Sequence, residues 1–199
     1  MNIEVASGIL AWLAVTLQLA GHTIYVRSVL RSSMQPNTAS WLIWAYGGVL
    51  EAASYIAMSG DWVKWLLPIA CNFACVVTFA LLLGKGRFAW LSSWEWICLG
   101  IDMMGLIVWW HWRSATWAHL VMQIGVPISF VPIFLSVWRN PANEHPLPWV
   151  IWSAAYFLGT VTVVLRWQEW PEVVFSLNNL ICHALIGVLC FRAGARATM

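Results

Sequence analysis

The chain has 199 residues, 61% of them apolar and only 9% charged, with ten Lys plus Arg against eight Asp plus Glu. A water-soluble domain carries about 25% charged and about 45–50% apolar residues, so this composition excludes a soluble fold and calls for a bilayer as solvent. The formal charge of +2 leaves no basic surplus for gripping phosphates, which excludes nucleic acid as a partner.

A membrane-crossing helix needs about 20 apolar residues. Apolar runs bounded by polar or Gly/Pro breaks predict seven of them, at 6–28, 40–58, 62–84, 92–112, 116–138, 147–165 and 171–191. The N-terminal Met-Asn-Ile-Glu-Val lacks the basic stretch of a cleavable signal, so the first run is expected to remain as a span. Gln18 and His22 share one face of it. The second helix carries Trp44, Glu51 and Tyr55, and the third Asn72. Helix four has a mid-span Asp102, expected to be a structural or interface anchor outside any pocket. Helix five brings His119 and Gln123 one turn apart, followed by Pro127 and Pro132. Helix six opens with Pro148 and carries Trp152, and helix seven holds Asn178, Asn179 and His183.

The breaks between runs are short, so sequential helices are antiparallel. An outside N-terminus would place Arg27, Arg31, Lys85, Arg87, Arg139, Arg192 and Arg196 in the cytoplasm, against Lys64, Arg113 and Arg166 outside. That bias predicts N-out, C-in. Most of the 17 tryptophans fall at the two predicted interfaces. Trp62, Trp65, Trp109, Trp110, Trp112, Trp117, Trp167 and Trp170 form an outer belt; Trp41, Trp90, Trp94, Trp96, Trp138 and Trp149 form an inner one. Trp44 and Trp152 lie one turn deeper, where a cavity wall is expected. The five cysteines sit in apolar runs and read as packing residues, and Cys71 with Cys75 lacks the second pair that a metal would need.

The chain also repeats itself. Ser-Trp-Leu-Ile-Trp-Ala at 40–45 returns as Pro-Trp-Val-Ile-Trp-Ser at 148–153, and Asp61-Trp62 returns as Glu169-Trp170, both at an offset of 108. Upstream, Gln18 aligns with Gln123 at a slightly smaller offset, the difference falling in the loop with Pro141 and Pro146; downstream, Asn72 aligns with Asn178 or Asn179. Helices one to three and five to seven therefore read as copies. Because helix four intervenes, the copies are parallel, with a site expected between them near the midplane. The implied domains are 1–87, a linker helix at 88–115, and 116–199.

This layout resembles the SWEET facilitators and the wider PQ-loop superfamily, which join two three-helix bundles through one linker helix. Phe130-Val-Pro-Ile-Phe134 and Leu147-Pro148-Trp149 are similar to that family's two proline signatures, and Asn72 with Asn179 to its paired asparagines. Repeat one lacks both prolines. The segment at 36–44, Pro-Asn-x-x-Ser-Trp-x-x-Trp, also resembles a group of small bacterial membrane proteins, which would place the chain in a bacterial inner membrane. The resemblance implies an all-α, seven-helix 3+1+3 fold and transport of a small polar solute such as a sugar or nucleoside-like molecule.

Polar groups at bilayer depth face a cavity or a partner. The expected solute-binding set is Gln18, His22, Trp44, Glu51, Tyr55, Asn72, Gln123, Trp152, Asn178, Asn179 and His183, with Pro127, Pro132 and Pro148 as hinges. Glu51 is expected within reach of Gln18, His22, Asn179 or His183. No cofactor or metal is called for, and no catalytic motif is present, so the chain reads as a non-enzyme. A non-transporting receptor or accessory subunit on the same scaffold is the alternative, and the Gly47-Gly48 pair and the stretch from Gly100 to Gly105 could mark an oligomer or partner surface.

Overall fold

The structure is a computed structural model that describes residues 2–31, 38–84 and 90–196, with side chains to Arg192. Lys85 and Arg87, and part of the 36–44 segment, lie outside the described residues; so does the Arg196 side chain. Seven helices follow one another: α1 (Ile3–Arg31), α2 (Thr38–Met58), α3 (Trp62–Gly84), α4 (Ser93–Trp112), α5 (Ala115–Arg139), α6 (Pro146–Leu165) and α7 (Pro171–Arg196). No strand occurs among the described residues.

Local chemistry sets the boundaries. Arg113 takes a left-handed conformation (φ 53°) that ends α4, and Ser114 caps α5 by accepting from the Trp117 amide at 3.3 Å. The pair makes a tight reversal. Pro146 opens α6 at its first position, where a missing N–H costs nothing, and His145 Nδ1 accepts from the Leu147 amide at 3.3 Å.

Five helices, α1, α3, α5, α6 and α7, are long and apolar enough to cross a membrane. At 21 and 20 residues α2 and α4 match them in length, but Trp, Tyr and Glu51 in α2, and Glu95, Asp102 and His111 in α4, lower their apolar character. The outer surface carries Ile9, Phe73, Ile107, Ile124, Val188 and Phe191, each half or more exposed. A surface of that kind needs lipid to cover it.

Six helices close a ring in the order α1, α3, α2, α5, α7, α6 and back to α1, while α4 packs outside it against α5 and α2. Two ion pairs tie one end of the ring. Lys64 Nζ meets Glu172 Oε2 at 2.7 Å, both side chains buried, and Arg166 pairs with Asp61 and donates to Ser7 Oγ at 3.1 Å. These contacts join the starts of α1, α3 and α7 to the end of α6.

The tryptophan belts are partly corrected. Trp62, Trp110, Trp112, Trp117, Trp167 and Trp170 are exposed around the ion-paired end, as are Trp90, Trp94, Trp96 and Trp138 around the other. Trp41 and Trp149, assigned to the inner belt, are instead fully buried. Trp41 Nε1 donates to Tyr25 Oη at 3.4 Å and Trp149 Nε1 to Glu144 Oε2 at 3.2 Å. A buried indole needs such an acceptor, and finding one inside the bundle removes the reason to sit at the interface.

The glycines of α2 work within the chain. A Cβ on Gly47 would lie 2.8 Å from Asp102 Oδ2, and one on Gly48 would lie 2.8 Å from Asn72 Nδ2. Both allow α4 and α3 to reach α2 closely, and neither faces outward.

Candidate functional site

At mid-bundle the helices line a partly open cavity of about 70 Å³. One water needs about 10–15 Å³ of such space, so several waters or a very small solute fit. Gln18 and His22 of α1, Trp41, Trp44 and Glu51 of α2, and Cys71 and Asn72 of α3 line it from one half. Ser129 and Phe130 of α5, Trp152 and Tyr156 of α6, and Asn179 and His183 of α7 line it from the other. Asp102 of α4 completes the wall.

Two tryptophans cross the seams. Trp44 Nε1 donates to Ser129 Oγ at 2.9 Å, joining α2 to α5. Trp152 Nε1 donates to the Gln18 carbonyl at 3.2 Å, joining α6 to α1. The second contact requires Gly21, since a Cβ there would lie 2.5 Å from the same indole nitrogen. His22, Tyr25, Trp149 and His183 surround the Trp152 ring, with centroids 4.8–5.6 Å away, and hold it in place.

The hydrogen bonds fix the imidazole tautomers. Thr78 Oγ1 donates to the Ala74 carbonyl at 2.8 Å, so it accepts from His22 Nδ1 at 3.4 Å, and His22 Nε2 then accepts from Gln18 Nε2 at 3.3 Å. His183 Nδ1 donates to the Asn179 carbonyl at 2.7 Å, leaving Nε2 as an acceptor. Gln18 Oε1 is buried with no partner.

Of the expected binding residues, Gln18, His22, Trp44, Glu51, Asn72, Trp152, Asn179 and His183 meet at the cavity. Tyr55, Gln123 and Asn178 do not line it. Tyr55 Oη donates to the Glu172 carbonyl at 3.1 Å and its ring packs on His119 and Phe175, beneath the ion-paired end. Asn178 Nδ2 donates to Gln123 Oε1 at 3.1 Å, and Gln123 Nε2 donates to Glu51 Oε1 at 3.3 Å. The two amides thus stand behind Glu51 and hold it from α5 and α7. Glu51 takes this bond rather than the expected one to Gln18, His22, Asn179 or His183, because Gln123 faces it directly across the α2–α5 seam.

The prolines fall into two kinds. Pro127 and Pro132 lie inside α5, where each removes a backbone donor. The Gln123 carbonyl, four residues before Pro127, is taken by Asn178 Nδ2 at 3.0 Å, so α7 braces the break. Pro148 sits in the first turn of α6, where no bend follows from it. Pro68, inside α3 and on the cavity wall, escaped the sequence reading.

Asp102 is the main correction. Its residue is 5% exposed, it lines the cavity, and it has no hydrogen-bond or ion-pair partner among the described residues. The sequence reading set helix four aside as a linker, yet Gly47 lets the Asp102 carboxylate pass beside α2 into the cavity. The rule that an intramembrane carboxylate marks a site would have found it. Among the described residues no group of three His, Cys, Asp or Glu is placed to hold a metal ion.

Comparison with family models, curated proteins and solved structures finds no match for this chain. The likeness to SWEET and PQ-loop proteins therefore rests on the quoted sequence residues.

Proposed function

We propose that the chain is a multi-pass membrane transporter that moves a small polar solute by alternating access between two parallel three-helix halves, 1–87 and 116–199, joined by the α4 segment at 88–115. The observation that carries this reading is a mid-bundle cavity, largely apolar but set with polar side chains, lined by both halves and bounded by the α1–α6 and α2–α5 seams. A ring order of α1, α3, α2 followed by α5, α7, α6 is what two parallel copies about an axis along the membrane normal would give. Lys64 and Glu172, which stand at the repeat's own offset of 108, bond directly. Equivalent residues meet only beside the axis that relates them.

Rocking of the halves would part the ion pairs at one end or the aromatic packing of Trp41, Trp44 and Phe130 at the other, with α5 bending at Pro127. The proposed orientation is N-terminus outside and C-terminus cytoplasmic. The test is reconstitution in liposomes with counterflow of labelled polar solutes. Flux that disappears when Asn179→Leu fills the cavity supports the reading, and correctly inserted protein with no flux for any polar solute refutes it. Cysteine labelling beside Arg31 should succeed only from the cytoplasmic side; labelling from outside refutes the orientation.

A receptor or accessory subunit is the second reading. It is favoured by α4, whose Ile97, Met103, Met104, Ile107 and Trp110 are exposed along a helix that packs chiefly on α5 and α2. A stable stoichiometric partner in mild detergent, without solute flux, would select it.

A further inference from the structure

Each nitrogen donor group of the cavity wall already makes one bond within the chain. The indoles of Trp41, Trp44 and Trp152 donate to Tyr25, Ser129 and the Gln18 carbonyl. Asn72 Nδ2 donates to the Ala45 carbonyl at 3.2 Å and Asn179 Nδ2 to the Phe175 carbonyl at 3.0 Å. Gln18 Nε2 and His183 Nδ1 are bonded as described above.

What remains open, besides one N–H on each of the Gln18, Asn72 and Asn179 amides, is a set of acceptors that includes both acidic side chains of the wall. Gln18 Oε1 is unpartnered in a residue only 1% exposed. The Asp102 carboxylate is without a partner among the described residues, and Glu51 holds one bond on Oε1 alone. No Lys or Arg lines the wall among the described residues, so the two acidic side chains stand there without a lysine or arginine partner. Such groups are costly at bilayer depth, by a few kcal/mol each on insertion scales. A wall of acceptors and carboxylates is complementary to a ligand that brings donors and positive charge. The rings of Trp41, Trp44, Trp152 and Phe130 supply faces for a cation and its alkyl carbons.

Building on the reading of this cavity as a solute site, we infer that its ligand is a protonated primary or secondary amine of a few heavy atoms. Its ammonium hydrogens are shared among Gln18 Oε1, Glu51 and Asp102. A quaternary ammonium brings the charge but leaves Gln18 Oε1 unpaired, and a neutral polyol brings no positive charge to either acidic side chain.

The experiment uses the full chain in mild detergent, following thermal unfolding with propylammonium, 1-propanol, tetramethylammonium and sodium chloride at matched ionic strength. A saturable rise in the midpoint is expected with propylammonium, at concentrations where the other three give none. Glu51→Gln and Asp102→Asn, which keep the side-chain shape, should each weaken apparent affinity about tenfold or more, and the double variant should lose it. An equal response to 1-propanol overturns the inference, and so does unchanged affinity in both variants. If the variants unfold without ligand, competition on the unaltered chain decides, since tetramethylammonium binding as tightly as propylammonium removes the role given to Gln18 Oε1. Counterflow in liposomes separates the two claims. Amine binding without flux refutes transport and leaves the site standing, whereas flux of neutral solutes without amine binding refutes the amine and leaves transport standing.

Discussion

Replacing Gly21 by alanine probes the α1–α6 seam at its closest point. The new Cβ would lie 2.5 Å from Trp152 Nε1 and 2.7 Å from Cδ1, against the 3.4–4 Å of ordinary contact, so the indole must retreat by about 1 Å. It has nowhere to go, because the rings of His22, Tyr25, Trp149 and His183 pack against it. Overpacking of this kind costs about 1–3 kcal/mol. Losing the bond to the Gln18 carbonyl adds about 0.5–1.5 kcal/mol, for a total of about 2–4 kcal/mol. Equilibrium unfolding in detergent–lipid micelles would read the loss. A Trp152→Phe background supplies the control, since it removes the indole N–H and frees space beside α1. There Gly21→Ala should cost less than about 1 kcal/mol, giving a coupling energy of at least about 1 kcal/mol in the double-mutant cycle. Strictly additive costs would refute the argument that Gly21 is glycine because Trp152 lies on it.

Three further outcomes are expected. Lys64→Met leaves the buried Glu172 carboxylate without its cation and should cost about 3–5 kcal/mol in the same unfolding assay, whereas Lys64→Met with Glu172→Leu should recover most of that loss. Asn178→Leu strips donors from the Gln123 carbonyl and side chain at the Pro127 break, so a loss of about 1–3 kcal/mol should appear, with faster backbone hydrogen exchange in α5 around Gln123. Glu144 lies in the loop between α5 and α6, where burial pushes its carboxyl up to about 7 from an ordinary 4.5, partly offset by hydrogen bonds from Trp149 and Tyr25. The folded state therefore holds the proton more tightly than the unfolded chain. Its contribution is complete below pH 4.5 and is lost as pH rises through about 7, a decline of up to about 3 kcal/mol that Glu144→Gln should flatten.

The seven helices were readable in the sequence to within a few residues at each end, because the apolar length that a bilayer requires is a local property. Apolar runs of about 20 residues between short polar breaks need no knowledge of neighbours. Part of the cavity wall was readable too, since Gln18, His22, Glu51, Asn179 and His183 are polar where lipid would reject them. Which polar groups face the cavity and which stand behind it could not be read that way. Asn178 and Asn179 are adjacent and chemically identical, yet one braces the α5 break while the other lines the cavity, because a helix turns by about 100° per residue and only packing fixes the zero of that rotation. Trp41 and Trp149 look like interface residues until Tyr25 and Glu144 supply buried acceptors from distant or unlabelled positions. Asp102 enters the cavity only because Gly47, on another helix, leaves room for it. Pattern along one helix determines that a side chain must be buried or solvated; the partner that buries or solvates it belongs to a second helix, and that pairing was decided by the tertiary structure alone.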